Sequence, residues 1–499
     1  MEILFEKKTQ TRCRESLRTV KRLQESVESV VPDTEEDIGK IVTVQSCVLL
    51  RSKDLSGHGV LVTGEARASV LCITEGRDRV FCLRVEKPFT VEFELPELTG
   101  EEQTQISLHV TASDARLMNP RKLSVTFELT AELSCYVQES VPVETRLPET
   151  ACRGLHVRYV QEELLLPDAV CEKSFVLSEQ FPFSGGRAQP EKLLTEQAEL
   201  QIDDCQLIGS KVVVKGRGEF KIACLCREQT EPVQAAFSAP FSQILDIGAE
   251  SMELCVVTPQ LTGAYFDLVD SISGEKAVDA EVHVLLQLVS RSRVAVSTAA
   301  DAYSNLTELQ PQVKTLSFES IGAKRTLRFQ EAENLELTDD CADVLCVFPA
   351  LSRCALEDGK LRSAIHLDVL YRTESGELAA VRRTMMLEQD CGGTWERLLS
   401  ARLGESELRP SGKSLEAHFT VEATFLEGEK TEIRSIEAVS LDETQSFDLS
   451  SFPSLTMVRV EGESLWELAK RYHSSVEAIE AFQTEADQMS GMLLIPKSV

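Results

Sequence analysis

"VLVTGEARASVLCI" at residues 60–73 alternates apolar and polar side chains, and its echo, "VVVKGRGEFKIACL", stands at 212–225. Alternation with period two marks a strand with one buried face, because successive side chains point to opposite sides of a sheet. At this constant offset Gly64 falls on Gly216 and Cys72 on Cys224. The same offset, without a gap, lays "KPFTVEFEL" at 87–95 over "APFSQILDI" at 239–247, so that Pro88-Phe89 falls on Pro240-Phe241. Register kept over so many positions points to an internal duplication of antiparallel β structure.

A third, more diverged copy follows. "KLRSAIHLDVLYRTESGELAAVRRTMML" at 360–387 has the same rhythm, and "SGKSLEAHFTVEATF" at 411–425 echoes "NPRKLSVTFELTAEL" at 119–133 and "GEKAVDAEVHVLLQL" at 274–288. Each is a turn, a lysine and an alternating strand. A period of about 140–150 residues is too long for a solenoid repeat. The expected fold is therefore mainly β and multidomain: three tandem antiparallel β domains over 29–148, 149–293 and 294–440, each with its own core, forming an arm.

The ends of the chain read differently. Leu17, Val20, Leu23, Val27 and Val30 recur at spacings of three and four, which predicts a helix over 13–30 within an N-terminal helical segment, 1–28. Lys7, Lys8, Arg12, Arg14, Arg18, Lys21 and Arg22 give that segment a basic face, solvated if the helix packs on the first domain, or facing a membrane surface or partner. "VVPD" at 30–33 is a turn into the first strand or a partner contact. "LDETQSFDLSSFPSLT" at 441–456 reads as a linker.

After it comes "VRVEGESLWELAKRYHSSVEAI" at 458–479. Val458 and Val460 suggest a short strand and Gly462 a turn. Ser464 with Glu467 predicts a capping box. Leu465, Leu468, Ala469 and Tyr472 mark one helical face, and Val476, Ile479 and Phe482 a second; "MLLIP" at 492–496 closes as a strand. The predicted order is β-α-α-β over 457–499. Trp466 either packs between helix and sheet or stands on a binding surface.

This stretch resembles a LysM domain, through "VEGESLWELAKRY" at 460–472, "VEAI" at 476–479 and "LLIP" at 493–496. Glu463 and Ser464 replace the family's Asp-Thr, Gln483 stands where it has Asn, and "SGMLLIP" lacks its proline. The resemblance implies a ligand groove between the first strand–helix loop, with Gly462, Glu463, Ser464, Leu465 and Trp466, and the last helix–strand loop, with Gln483, Met489, Ser490 and Gly491. LysM modules take N-acetylglucosamine-containing glycans there, and the altered loop residues weaken that expectation. "VVPDTEEDIGKI" at 30–41, "VLVTGE" at 60–65 and "LMNPRKLSV" at 117–125 resemble the SPOCS domain of clostridial spore-coat assembly proteins. Tandem SPOCS copies ending in LysM are the arrangement of the SipL family. That resemblance implies a sporulation scaffold in the mother-cell cytoplasm at the forespore surface, docked to the coat morphogenetic ATPase or another spore-coat protein. The alternative is a peptidoglycan-binding tether to cell wall or cortex.

Composition bounds these readings. With 81 acidic against 52 basic residues the formal net charge is −29, which opposes binding to nucleic acid or anionic lipid and suits a basic partner. The N-terminus lacks a secretory pattern and no transmembrane stretch is present, so a cytoplasmic location is expected. The 15 cysteines include no C-x-x-C pair and read as small buried hydrophobes. No catalytic or metal constellation emerges, and no cofactor is expected. The histidines lack metal spacing. "SGKS" at 411–414 has Glu407 where a phosphate loop needs glycine, and "KGRGEF" at 215–220 lacks the third glycine of a nucleotide fingerprint. An envelope enzyme would instead reveal itself by a pocket of converging polar groups.

Overall fold

A computed structural model describes residues 2–57, 59–95, 102–148, 154–183, 189–227, 231–270, 276–393, 395–411, 413–459, 462–482 and 492–497. After a short β1 (Glu2–Leu4), one pattern of six strands occurs three times. The first comprises β2 (Glu6–Val30), β3 (Ile38–Ser56), β4 (Gly59–Thr74), β5 (Val80–Glu94), β6 (Gln103–Asn119) and β7 (Lys122–Arg146). The second comprises β8 (Leu155–Pro182), β9 (Pro190–Ile208), β10 (Lys211–Cys226), β11 (Pro232–Asp246), β12 (Leu254–Asp270) and β13 (Lys276–Ser304). The third comprises β14 (Thr307–Glu336), β15 (Cys341–Glu357), β16 (Lys360–Thr373), β17 (Leu378–Asp390), β18 (Trp395–Ser411) and β19 (Ser414–Ser446). Each time the second to fourth strands form an antiparallel meander. The last two form a hairpin, and the long opening strand pairs back onto its final member. The two sheets of each unit face one another across an apolar cluster.

The offset that linked the first two copies has a structural cause. Gly64 lies opposite Phe89 on β5, and Gly216 opposite Phe241 on β11, in the same register. A Cβ on Gly64 would lie 2.4 Å from Phe89 Cζ, and one on Gly216 2.6 Å from Phe241 Cζ. The end of each ring occupies the space that a side chain on its glycine would need. The corresponding β16 and β17 contain neither glycine nor phenylalanine, which is why the third copy is faint in the sequence.

The units do not form an arm. Val42, Leu71 and Val80 of the first meander, Leu194 and Ala223 of the second, and Cys346, Phe348 and Leu370 of the third share one buried cluster. A second cluster joins Val141, Leu164, Val296, Phe318 and Ile433 from all three units. Polar links cross the seams: the Gln287 side chain bonds both the N–H and the C=O of Ile106, each at 2.7 Å, and Gln234 does the same to Val347, each at 2.9 Å. The N-terminus ties the first unit to the third, because β1 pairs with Ala438–Ser440 of β19 and buries Ile3 and Phe5 against Ile436 and Val439.

Three expectations are corrected. Residues 13–30 are not helical but belong to β2, whose ladder with β7 runs from Glu6 to Val30. A helix there would leave one edge of the 25-residue β7 unpaired, a cost larger than weak helical periodicity can offset. Leu17, Val20 and Val30, three members of the apolar stripe, are left exposed. The boundaries expected at 293 and 440 lie inside β13 and β19, which are longer than their alternating stretches because bulges break the alternation. The expected linker at 441–456 starts within β19 and continues through a 3-10 turn at Leu449–Ser451.

"VVPD" is a turn, closed by the Glu35 N–H donating to the Pro32 carbonyl at 3.0 Å. Arg121, from the "NPRK" turn, donates to the carbonyls of Val31, Pro32 and Glu35 and pairs with Asp37. Two of the three stretches that carried the SPOCS resemblance, 30–41 and 117–125, are thus joined by one guanidinium. Gly216→Ala is expected to force Phe241 or the β9 backbone to move and to destabilise the protein by about 1–3 kcal/mol, measured by urea unfolding. Adding Phe241→Leu should recover part of the loss.

Candidate binding module

The chain ends in β20 (Leu455–Arg459), α1 (Leu465–Arg471), α2 (Val476–Phe482) and β21 (Met492–Pro496), with β20 and β21 antiparallel. Each helix has seven residues, too short to persist alone, so caps and packing must hold it. At α1 the Glu467 N–H donates to Ser464 Oγ at 3.3 Å, and the Ser464 N–H donates to Glu467 Oε2 at 2.9 Å, the expected capping box. Lys470 and Arg471 in the last turn oppose the negative end of the helix dipole. At α2 the Ala478 N–H donates to Ser475 Oγ at 3.1 Å. Leu468, Ala469, Ile479 and Ile495 form the module's core.

That core includes a residue from outside it. Tyr303, near the end of β13, is buried in the same cluster, and its hydroxyl donates to the Ser474 carbonyl at 2.9 Å. The Trp466 ring meets Tyr303 edge-on at 4.9 Å, and His156 stacks on the tyrosine at 5.0 Å. Asp301 Oδ2 accepts from Trp466 Nε1 at 2.8 Å, and its carboxylate accepts from Lys470 Nζ at 3.0 and 3.2 Å. The Arg158 guanidinium lies over the indole at 5.6 Å, a cation–π contact. From the segment before the module, Phe447 and Phe452 pack on His473 at 4.2 and 4.9 Å. Burial pushes the Asp301 carboxyl up, but hydrogen bonds from Trp466 and Lys470 outweigh it and hold the group below its ordinary range. Burial pushes the Tyr303 phenol up, which keeps it a neutral donor.

Trp466 is half-buried, with its ring between the module and Asp301, Tyr303 and Arg158 of the second unit. Leu465 is half-buried in the module's core. Gly462 turns the chain with φ +94° and is exposed. Glu463 pairs with Arg471 at 2.6 Å, and Ser464 is engaged as a cap. Gln483, Met489, Ser490 and Gly491 lie outside the described residues, so only the first wall of the expected groove is described. The module's outward apolar groups are Leu455 and Met457 on β20 and Phe482 at the end of α2. Sequence reading missed Asp301, Tyr303 and Arg158, because "VRYV" and "ADAYS" look like any strand segment and their role depends on a contact some 165 residues away.

Concavities lined by several charged groups lie elsewhere among the described residues. A groove of about 810 Å³ runs over the third unit, lined by Glu331, Glu407, Arg409 and His418. A cavity of about 150 Å³ sits where the three units meet, lined by Gln45, Glu199, Lys221, His366, Asp368 and Arg382. Burial pushes the Asp368 carboxyl up despite Arg382 at 3.4 Å. Of "SGKS", Ser411 pairs with Ser414 where β18 meets β19, and Gly412 lies outside the described residues. "KGRGEF" lies in β10, where Gly216 makes room for Phe241 and Gly218 for Leu177 and Phe220. Among the described residues no helix is long and apolar enough to cross a membrane.

No protein-family model, curated protein or solved structure matches this chain.

Asp301→Ala should undock the module at a cost of about 2–3 kcal/mol, the scale of hydrogen bonds to a charged group. In a Trp395→Phe background, which leaves Trp466 as the sole reporter, emission should move to the red. Asp301's folded pKa is depressed, so its contribution is complete above the ordinary aspartate value of about 3.9 and is lost as pH falls through the folded value. The same red shift should therefore appear on acidification below that value and be missing as a separate step in Asp301→Asn.

Proposed function

We propose that the protein is a non-catalytic scaffold of spore-envelope assembly, whose C-terminal module is a LysM domain that docks to a coat morphogenetic ATPase. The single observation that carries this is the order of parts: a six-strand pattern three times over, then β-α-α-β with a capped first helix. That is the order implied by the SipL resemblance, with the three units as SPOCS-like domains. On that footing the protein works in the mother-cell cytoplasm at the forespore surface.

The module's own chemistry favours a protein ligand. Trp466, which could serve as an aromatic anchor for a sugar ring, is committed to Asp301 and Tyr303. Glu463 and Ser464 are engaged in an ion pair and a cap. The open groups, Leu455, Met457 and Phe482, are apolar and suit the buried centre of a protein interface, where a few anchors dominate the energy. A basic face on the ATPase would be steered toward a chain of net charge −29.

Full-length protein titrated against the purified ATPase should bind, and removal of 457–499 should abolish binding. Met457→Asp should weaken it by about tenfold or more, or 1.4 kcal/mol. N-acetylglucosamine oligomers and solubilised peptidoglycan should give no heat in calorimetry. Glycan binding that is lost in Glu463→Ala or Gln483→Ala would replace this proposal with the wall-tether alternative.

A further inference from the structure

Every second residue of a strand shares a face, so side chains on the facing meanders stack in levels. Leu71 of β4, Ala223 of β10 and Leu370 of β16 form one apolar level, buried together between the three units. Two residues back along each strand, the next level carries Ser69, Lys221 and Asp368. Polar side chains cannot close a seam as the leucines do, and here the units leave space. The cavity of about 150 Å³ has Lys221 and Asp368 in its wall, together with Gln45 and Gln197, which lie across the ladders from Ser69 and Lys221. A smaller cavity of about 90 Å³ takes in Ser69 and shares both glutamines.

Most charges in the larger cavity are met by the protein. Asp368 is 6% exposed and accepts from Arg382 Nε at 3.4 Å. Arg382 also faces Asp114 of the first unit at 3.6 Å, and Arg402 pairs with Glu422 and bonds Gln201. Two charges are left over. Among the described residues neither Lys221 nor Glu199 makes an ion pair or hydrogen bond, and both are exposed at the rim. Gln197 pairs with Lys221 and Glu199 follows it by two, so Lys221 and Glu199 are diagonal neighbours on one face. Such neighbours stand about 7–8 Å apart at the backbone, and here their charged ends do not meet. The Gln197 carboxamide between them is also without a hydrogen bond among the described residues.

We propose that this cavity binds a small zwitterion, a free α-amino acid whose carboxylate meets the Lys221 ammonium and the Gln197 carboxamide and whose ammonium meets the Glu199 carboxylate. A lone anion would gain Lys221 but face Glu199, and a lone cation would meet the reverse. A molecule with both charges satisfies both and adds no net charge to a seam whose other ions are already paired. Size sets the class of side chain. A cavity of about 150 Å³ holds benzene, with about six non-hydrogen atoms, and alanine is of that size. The ligand would lie between β9 and β10 of the second unit and β16 of the third, so binding also ties these units together. The site is separate from the C-terminal module and does not depend on the role proposed for it.

Calorimetric titration of the full-length chain with L-alanine tests the proposal. The expected result is saturable binding of one molecule per chain, with a rise in unfolding temperature. Propionate and ethylamine, which each lack one of the two charges, should bind about tenfold or more weakly, and L-tryptophan, too large for the space, should not bind. Lys221→Met and Glu199→Gln change exposed groups and leave the apolar level packed; each should weaken L-alanine by about tenfold or more. No binding at millimolar L-alanine would mean that the cavity holds water alone and would overturn the proposal. So would propionate or phosphate bound as tightly as L-alanine, or an affinity unchanged in either variant. If a variant fails to fold, the ligand series on the wild-type chain decides by itself.

Discussion

Leu71, Ala223 and Leu370 sit at matching register positions of β4, β10 and β16, and they meet in a single buried cluster. That contact makes the rest of the structure one object. Each unit buries its own sandwich core, so each could be imagined to stand alone. The shared cluster instead leaves an apolar patch on every unit that only the other two cover, and exposing such a patch is costly at about 25 cal/mol per Å². The Leu378 N–H, which donates to the Arg77 carbonyl at 2.8 Å, extends hydrogen bonding across one of these seams. β1 then fastens the first unit to the last strand of the third, so that the chain's beginning closes the assembly it starts.

The C-terminal module inherits its position from that assembly. Asp301 and Tyr303 belong to the last residues of β13, and β13 also carries Val296 of the second shared cluster and a parallel contact with β7 through Ser297 and Glu144. The platform that receives Trp466 is therefore fixed by contacts among the units. The carboxylate gathers three hydrogen-bond donations from α1 and the tyrosine supplies apolar area and one more, so a single strand end orients the whole module. With Trp466 turned inward, the module's exposed apolar groups among the described residues are on the β20 face and at the end of α2.

Legibility followed the range of the interaction. The meanders were readable because alternation is local and because the Gly64–Phe89 and Gly216–Phe241 pairs lie within one hairpin, where a glycine and its phenylalanine must be inherited together. The α1 cap was readable for the same reason, as its partners are three residues apart. β2 was misread because its neighbour β7 begins more than ninety residues later, and nothing local to 13–30 tells a strand with a bulge at Glu15/Leu17 from a weakly amphipathic helix. The dock was illegible in principle: Asp301 and Trp466 become partners only after three units have packed. The groove residues of the last loop were chosen by family pattern alone, and Gln483 to Gly491 lie outside the described residues.

The distribution of charge follows from the same packing. Of the basic run from Lys7 to Arg22, expected as a solvated helical face, only Arg12 is buried, and the others stand exposed along β2. Lys7 pairs with Glu437 of the third unit, the buried Arg12 with Asp168 of the second at 2.6 Å, and Arg14 with Glu139 of β7. Other cations do the same work at the seams, as Arg84 does with Glu196, Lys192 with Glu35 and Arg397 with Glu132. Each such pair takes up one cation and one carboxylate together, so the surface carries the whole excess of 81 acidic over 52 basic residues. Such a surface keeps copies of the chain apart and draws in basic partners, with range limited to the Debye length of about 8 Å at physiological salt. Assembly of the three units thus fixes the platform on which the module sits.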